Sequence, residues 1–470
     1  MDKNLSDYWS YKKSFNQKQK RLKVAMLETI CQKILDRAKL AGAEEADVLG
    51  INGTSTSIEV RKQTLEQIER SESTEFGLRV FIGKRQAVVS GSDLSDTSIN
   101  FMAERAVDMA KAAPIDPYCG LAEKSQLARF WNINKFELSD DRDEPQPDEL
   151  ENIARETEYF ALQNKSVDQV QAASTGYSKT DIHVCATNGF NGGYSKTSFS
   201  NSCVAIARSQ AGLERDYDGD ARIFKSDLRS PEEIGILAAE RAVSRLEARK
   251  PKTGVYPVLF DERISSSLIG HLLSATNGAA VARGTSWLLN SRGSIVLPEN
   301  LSIREDPHRQ RVSGSRPFDA EGLETKIRKI VDNGILCDWT TDLSSSRKLD
   351  LKSTGNATRG IGGIPTPSNW NISLTQGTQS QAELLKDMDC GVLVTSMIGS
   401  TINPNTGDYS RGASGFWIEN GEVQYPISEL TIAGNLNHML KGIIPANDAR
   451  QYISRVVPSL LIDGMTIAGS

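Results

Sequence analysis

Asp408, Tyr409, Ser410 and Arg411 form an unbroken polar run closed by Gly412, supplying a carboxylate, a phenol, a hydroxyl and a planar cation. A guanidinium fork can grip a carboxylate through two parallel hydrogen bonds, and tyrosine offers a flat ring with a polar tip. The run is therefore a candidate for holding an extended peptide, and the glycine-dense loop Gly355–Gly363 is a second one. The competing reading is structural: Asp408 and Arg411 pair with each other and pin the loop. Asp408 and Glu419 could also make an acid–base carboxylate pair, although such common carboxylates belong more often to turns and surfaces.

Other chemistries lack their parts. The four histidines, His183, His271, His308 and His438, stand outside metal-ligand spacing of one another. His271 shares a helical stripe with Ile264, Leu268 and Ala275, which reads as a packed or boundary side chain; His308 and His438 sit in polar surroundings and read as solvated. Gly83-Lys84 is followed by Arg85, so there is no phosphate loop, and Gly412-Ala-Ser-Gly-Phe416 falls one glycine short of a nucleophile elbow. Nothing points to a Ser-His-Asp triad. The six cysteines are scattered with no C-x-x-C pair, the usage of a reducing compartment.

The elements that must carry these residues follow from periodicity and turn chemistry. Length, 470 residues, predicts two domains. A net charge of -5 provides no basic field for nucleic acid, and no apolar run approaches the roughly 20 residues of a membrane span. Residues 1–23 are lysine-rich but lack an apolar core or cleavage site, so they read as a basic, flexible extension of a cytoplasmic protein. Val24, Leu27, Cys31, Ile34, Leu35 and Ala38 predict a helix, and Ala46–Ile51, Ser57–Arg61 and Leu65–Glu69 predict short strands. Phe76–Ile82 and Gln86–Ser90 predict a hairpin, followed by a helix from Ser95. After a helix near Leu150–Ala161, Val167–Ala207 reads as a meander turning at Asn188-Gly189. Ser230-Pro-Glu-Glu233 is a capping box with proline at the first helical position. Tyr256–Phe260 is an apolar strand, and Asp261 can cap the helix that carries Ile264, Leu268 and Leu272. Asn333-Gly334 and Asn420-Gly421 mark hairpins, and Asn405-Thr-Gly407 marks a turn. The class is α+β: an N-terminal α/β domain with helices on a mostly antiparallel sheet over 24–235, then a β-rich domain over 236–470.

Several longer motifs carry a resemblance. Thr406-Gly-Asp-Tyr-Ser-Arg-Gly-Ala-Ser-Gly-Phe-Trp-Ile-Glu-Asn-Gly-Glu422, Tyr425-Pro426 and Glu429-Leu-Thr-Ile-Ala-Gly-Asn435 resemble the C-terminal signature of the TldD/PmbA family, in particular its PmbA/TldE branch. Ala43-Glu-Glu-Ala-Asp47, Ser92-Asp-Leu-Ser95, Leu213-Glu-Arg-Asp-Tyr217, Pro317-Phe-Asp-Ala-Glu-Gly322, Lys348-Leu-Asp-Leu-Lys-Ser-Thr-Gly355 and Asp463-Gly-Met-Thr-Ile-Ala-Gly469 match in the same order.

The resemblance implies a zinc peptidase (peptidase U62) family and a barrel-like C-terminal domain. In its metal-bearing branch a His-Glu-x-x-x-His run precedes Arg-Gly-Thr-Ser, and a C-terminal cysteine completes the site. Counting back from Arg283-Gly-Thr-Ser286, the His positions fall on Ile269 and Ser274 and the Glu position on Gly270. The last cysteine is Cys390. Isoleucine and glycine have no donor, and serine is a poor zinc ligand. The expectation is a subunit without its own metal or catalytic residues, in a heterodimer with a TldD-like chain that carries zinc, or a homodimer in its absence. Unfolded peptides, microcin-type precursors and antitoxin-like chains would be substrates; no direct contact with nucleic acid or membrane is expected. Asp408, Tyr409, Ser410, Arg411 and Gly412 are the candidate substrate-binding residues. Two alternatives stand beside this: a stand-alone non-metal hydrolase using Asp408 and Arg411, and a non-catalytic modulator binding another protein such as DNA gyrase.

Overall fold

A computed structural model describes residues 26–210 and 212–469; the basic extension over residues 1–23, and Val24 of the first helix, lie outside the described residues. Helix α1 (residues 26–40) turns Leu27, Cys31, Ile34, Leu35 and Ala38 inward, the stripe its spacing predicts. It lies on a six-stranded sheet in which every neighbour is antiparallel, built from β1 (Glu45–Arg61), β2 (Thr64–Ile82), β3 (Arg85–Gly91), β4 (Val167–Ala186), β5 (Asn191–Ser209) and β6 (Gly212–Arg222). The spatial order is β3-β2-β1-β4-β5-β6. α1 and α2 (Asp96–Ala112) cover Val48, Phe76, Leu78 and Val80. α3 (Pro147–Ala161) and α4 (Pro231–Ser244) cover Ile58, Val60, Tyr177 and Phe199.

Two expectations are corrected here. The short strands predicted over Ala46–Ile51 and Ser57–Arg61 are one strand, β1, because Asn52–Thr56 pairs with both β2 and β4. Backbone bonds on both sides carry the strand through a stretch without apolar side chains. The domain boundary at 235/236 cuts α4, whose Ile234, Ala238, Ala239 and Ala242 all pack on the N-terminal sheet. The division therefore falls between Ser244 and Gly254.

In the C-terminal half β7 (Gly254–Phe260) pairs in parallel with Gly391–Ile402 and antiparallel with Leu460–Ala468. Gly391–Ile402 continues into Asp408–Glu419 and then Glu422–Asn435, whose residues Thr431–Ala433 meet Thr466–Ala468. That last pairing closes five strands into a barrel, as the resemblance implies. Val258, Phe260, Val394, Trp417, Ile432, Ile462 and Ile467 belong to the core, against which α5 (Glu262–Ala275) sets Leu268, Ile269 and Leu272. The turn at Asn420-Gly421 has both residues at positive φ, 53° and 72°, as the expected hairpin requires. A smaller five-stranded sheet packs alongside.

The halves are joined by buried charge. Arg79 of β2 donates from Nε at 2.9 Å and Nη2 at 2.5 Å to Oδ2 of Asp47 on β1. Arg359, from the C-terminal half, donates to Oδ1 of the same carboxylate. Asp47, Arg79 and Arg359 are all buried. Asp47→Ala should lower the unfolding free energy by about 3–5 kcal/mol, the cost of stranding buried charge. Urea unfolding measures this; a loss no larger than that of Arg208→Ala, in an exposed ion pair, would mean the junction contributes little.

Candidate functional site

The polar run begins at a turn. Gly407 sits at φ 76°, and the Asn403 side chain accepts from the Asn405 N–H at 3.0 Å. The chain then enters the barrel strand Asp408–Glu419, so successive side chains alternate between its faces. Tyr409 and Arg411 share one face; Asp408, Ser410 and Gly412 share the other.

Tyr409 is 2% exposed, and its hydroxyl lies 3.3 Å from Met397 Sδ. Burial pushes the phenol up to about 12, against the opposing pull of Arg411. Its ring meets that of His271 edge-on, with centroids 5.9 Å apart. Arg411 is half-buried and donates from Nε to the Gly399 carbonyl at 2.7 Å. His271 stands on α5, whose N-terminus Asp261 caps by accepting from the Arg263 N–H at 3.0 Å. With Leu268 and Leu272 turned into the core, His271 and Ser267 are carried to its rim. Among the described residues neither His271 Nε2 nor Ser267 Oγ, both buried, has a hydrogen-bond partner. Burial, with the nearby charge of Arg411 second, holds the His271 imidazole below its ordinary pKa. Arg455 borders the same turn: its Nη1 lies 3.1 Å from where a Cβ on Gly270 would stand.

The structure thus gathers Tyr409 and Arg411 with His271, and separates them from Asp408. Asp408 is exposed, accepts from Thr406 Oγ1 at 2.6 Å and Asn435 Nδ2 at 2.9 Å, and those two bonds hold its carboxyl below the usual range. The ion pair imagined between Asp408 and Arg411 is not formed, because their strand points them to opposite faces. Glu419 is at the far end of that strand, about 35 Å away at strand rise, so it cannot pair with Asp408. The Gly355–Gly363 loop is docked at the domain junction through Arg359, and the Ile361 backbone lies against Gly77.

At the positions to which the resemblance carries metal-binding residues, Ile269 is packed in the core. Gly270 is half-buried, and exposed Ser274 donates its hydroxyl to the Gly270 carbonyl at 2.9 Å. Among the described residues no group of three or more His, Cys, Asp or Glu side chains converges. Met397, Ser267 and Arg455 escaped sequence reading; they come from segments far apart in the chain and carry no local signal. A concavity of about 210 Å³ opens between the halves beside Arg79, Glu321, Arg283 and Arg347. Its Arg347 is committed to the carbonyls of Tyr118, Gly120 and Leu121 at 3.0, 2.9 and 2.7 Å.

Three family models match the chain: PmbA/TldA metallopeptidase domain 1 over residues 46–110, the central domain over 140–246 and the C-terminal domain over 253–469. The chain is 37% identical to metalloprotease PmbA of Escherichia coli O157:H7 across 91% of its own length and 93% of that protein. It is also 37% identical to a metalloprotease PmbA homolog of Haemophilus influenzae, across 93% and 94%. A solved Bacteroides thetaiotaomicron protein, described as a proposed modulator of DNA gyrase, superposes with a TM-score of 0.86 at 26% identity, covering 94% of this chain and 98% of that one. TldE from Thermococcus kodakarensis superposes with a TM-score of 0.82 at 20% identity, covering 94% and 100%, and supports the fold alone.

The depressed His271 has a measurable consequence. Its folded pKa lies below the ordinary 6.5, so the unfolded chain binds the proton first, and stability falls as pH drops through that value. His271→Asn should flatten part of this acid-side decline, leaving the share due to His183, which burial also depresses. Thermal midpoints against pH for both proteins check it; parallel curves would mean that His271 titrates normally.

Proposed function

The chain belongs to the PmbA/TldD metallopeptidase family, and from that membership we propose that it is the peptide-holding companion of a zinc-bearing subunit. A TldD-like chain would supply the metal, and this chain would help form a chamber for unfolded peptides, microcin-type precursors and antitoxin-like chains in the cytoplasm. The observation that carries the reading is the donor set on α5. Zinc takes nitrogen, thiolate or carboxylate donors in tetrahedral geometry. The corresponding turn offers a core isoleucine, a glycine, a serine bonded within its own helix and one imidazole. Arg411, close enough to depress that imidazole, adds a positive charge that opposes a second cation. These residues do not fit zinc.

They do fit an anionic or polar piece of peptide. Arg411 spends Nε on Gly399, and its charge is felt by both Tyr409 and His271. A neutral imidazole with an unspent Nε2 can donate to or accept from a peptide group, depending on its tautomer. The side chains would bind and orient; bond cleavage would belong to the partner. The hydrolase built from Asp408 and Arg411 loses support, since the strand faces them apart.

Co-expression with a TldD-like chain should yield a joint species on size analysis, with zinc and chelator-sensitive peptidase activity that the lone chain lacks. Stoichiometric zinc and activity in the lone chain would overturn the proposal. In the complex, Arg411→Gln should raise KM about tenfold with kcat nearly unchanged, the signature of lost uniform binding.

A further inference from the structure

β2 is 19 residues long, but its outer neighbour β3 pairs only with Phe76–Ile82. Thr64–Glu75 is bonded to β1 on one side, and among the described residues no strand takes the other. At strand rise this is about 40 Å of open edge. The edge is held firmly, because β1 pairs with it from Asn52↔Thr74 through Ile58↔Ile68 and is itself backed by β4. Long open edges invite another strand, and proteins usually shorten, bulge or charge them. This one is charged. Glu66, Glu69, Glu72 and Glu75 stand on it against Arg70, and Thr64–Ser73 are all exposed. Leu65 (42% exposed) lies opposite buried Val60, and Ile68 (51% exposed) opposite buried Ile58, so an apolar strip runs out to the edge.

Two copies of this chain meeting edge to edge would each bring four glutamates against one arginine, an excess of like charge that opposes self-pairing. From the charge and the strip together we propose that Thr64–Glu75 is a docking edge for an extended, lysine- or arginine-bearing polypeptide segment, bound by strand addition. Backbone hydrogen bonds would give affinity without demanding one sequence. Apolar residues of the ligand would lie beside Leu65 and Ile68, and basic ones on the other face, beside Glu69 and Glu75. The inference is independent of the α5 reading, which concerns a different domain.

Fluorescence anisotropy of the full chain with a labelled ten-residue alternating Lys/Val peptide tests it. The Lys/Val peptide should bind, and a Glu/Val peptide at least tenfold more weakly. Glu69→Lys with Glu75→Lys should reverse that preference while the thermal midpoint holds. N-methylation of one alternate set of peptide nitrogens should abolish binding, and of the other set leave it intact, because only one set faces the edge. Equal binding by both methylated peptides, or no effect of the charge reversal, would overturn the proposal. So would a tenfold gain in affinity on deleting residues 1–25, which would give the edge to the chain's own basic segment.

Discussion

One carboxylate, that of Asp47, holds two arginines in a place where all three groups are buried. Burial alone would raise its pKa, but Arg359 and Arg79 together overcome that and keep it ionised. Arg359 is itself pulled down by burial, with Asp47 opposing that pull, while Arg79 is held up by Asp47 and Glu321. Glu321, 3.9 Å from Arg79, is driven upward by burial and bonded by the Leu343 N–H. Such a cluster contributes less net stability than apolar packing of the same volume would, yet it is expensive to break on one side. It therefore ties the N-terminal sheet to the loop around Arg359 in the C-terminal half.

An ion pair and a hydrogen bond also cross the junction. Arg263 of α5 bonds Asp216 of β6 at 2.7 Å, and Arg245, just past α4, reaches Ser414 of the barrel at 2.9 Å. Through Arg263 the N-terminal sheet is tied directly to the helix that carries His271. Barrel closure fixes the other wall, since Tyr409 and Arg411 can move only with a strand paired on both sides. The His271–Tyr409 contact is thus where a helix anchored by charge meets a strand anchored by hydrogen bonds. Glycine permits the closeness of the barrel strands: at Gly415 any Cβ would overlap the Leu393 carbonyl.

Three of the motifs that carried the family resemblance supply these joints. Asp47 closes Ala43–Asp47, Asp216 lies within Leu213–Tyr217, and Glu321 lies within Pro317–Gly322. Reading them as surface polar residues would have been natural, because charged side chains are seldom buried unless paired. Their partners, Arg79, Arg263 and Arg359, stand tens to hundreds of residues away. No local spacing announces such a pairing.

The caps at Ser230 and Asp261, and the turns at Asn333-Gly334 and Asn420-Gly421, were settled by the sequence alone. Each depends on a hydrogen bond or a backbone angle within a few residues, so the chemistry that causes it lies inside the window being read. The identities at 269, 270 and 274, and hence the donors on that helix, were likewise written in the chain. Tertiary structure decided which face of the strand Tyr409 and Arg411 share, and that Asp408 is not with them. It also decided that the glycine-dense loop serves the junction, and that Thr64–Glu75 of β2 is paired on one side only among the described residues. These outcomes depend on which distant strand arrives beside which, and backbone pairing is indifferent to the local side-chain pattern that sequence reading uses.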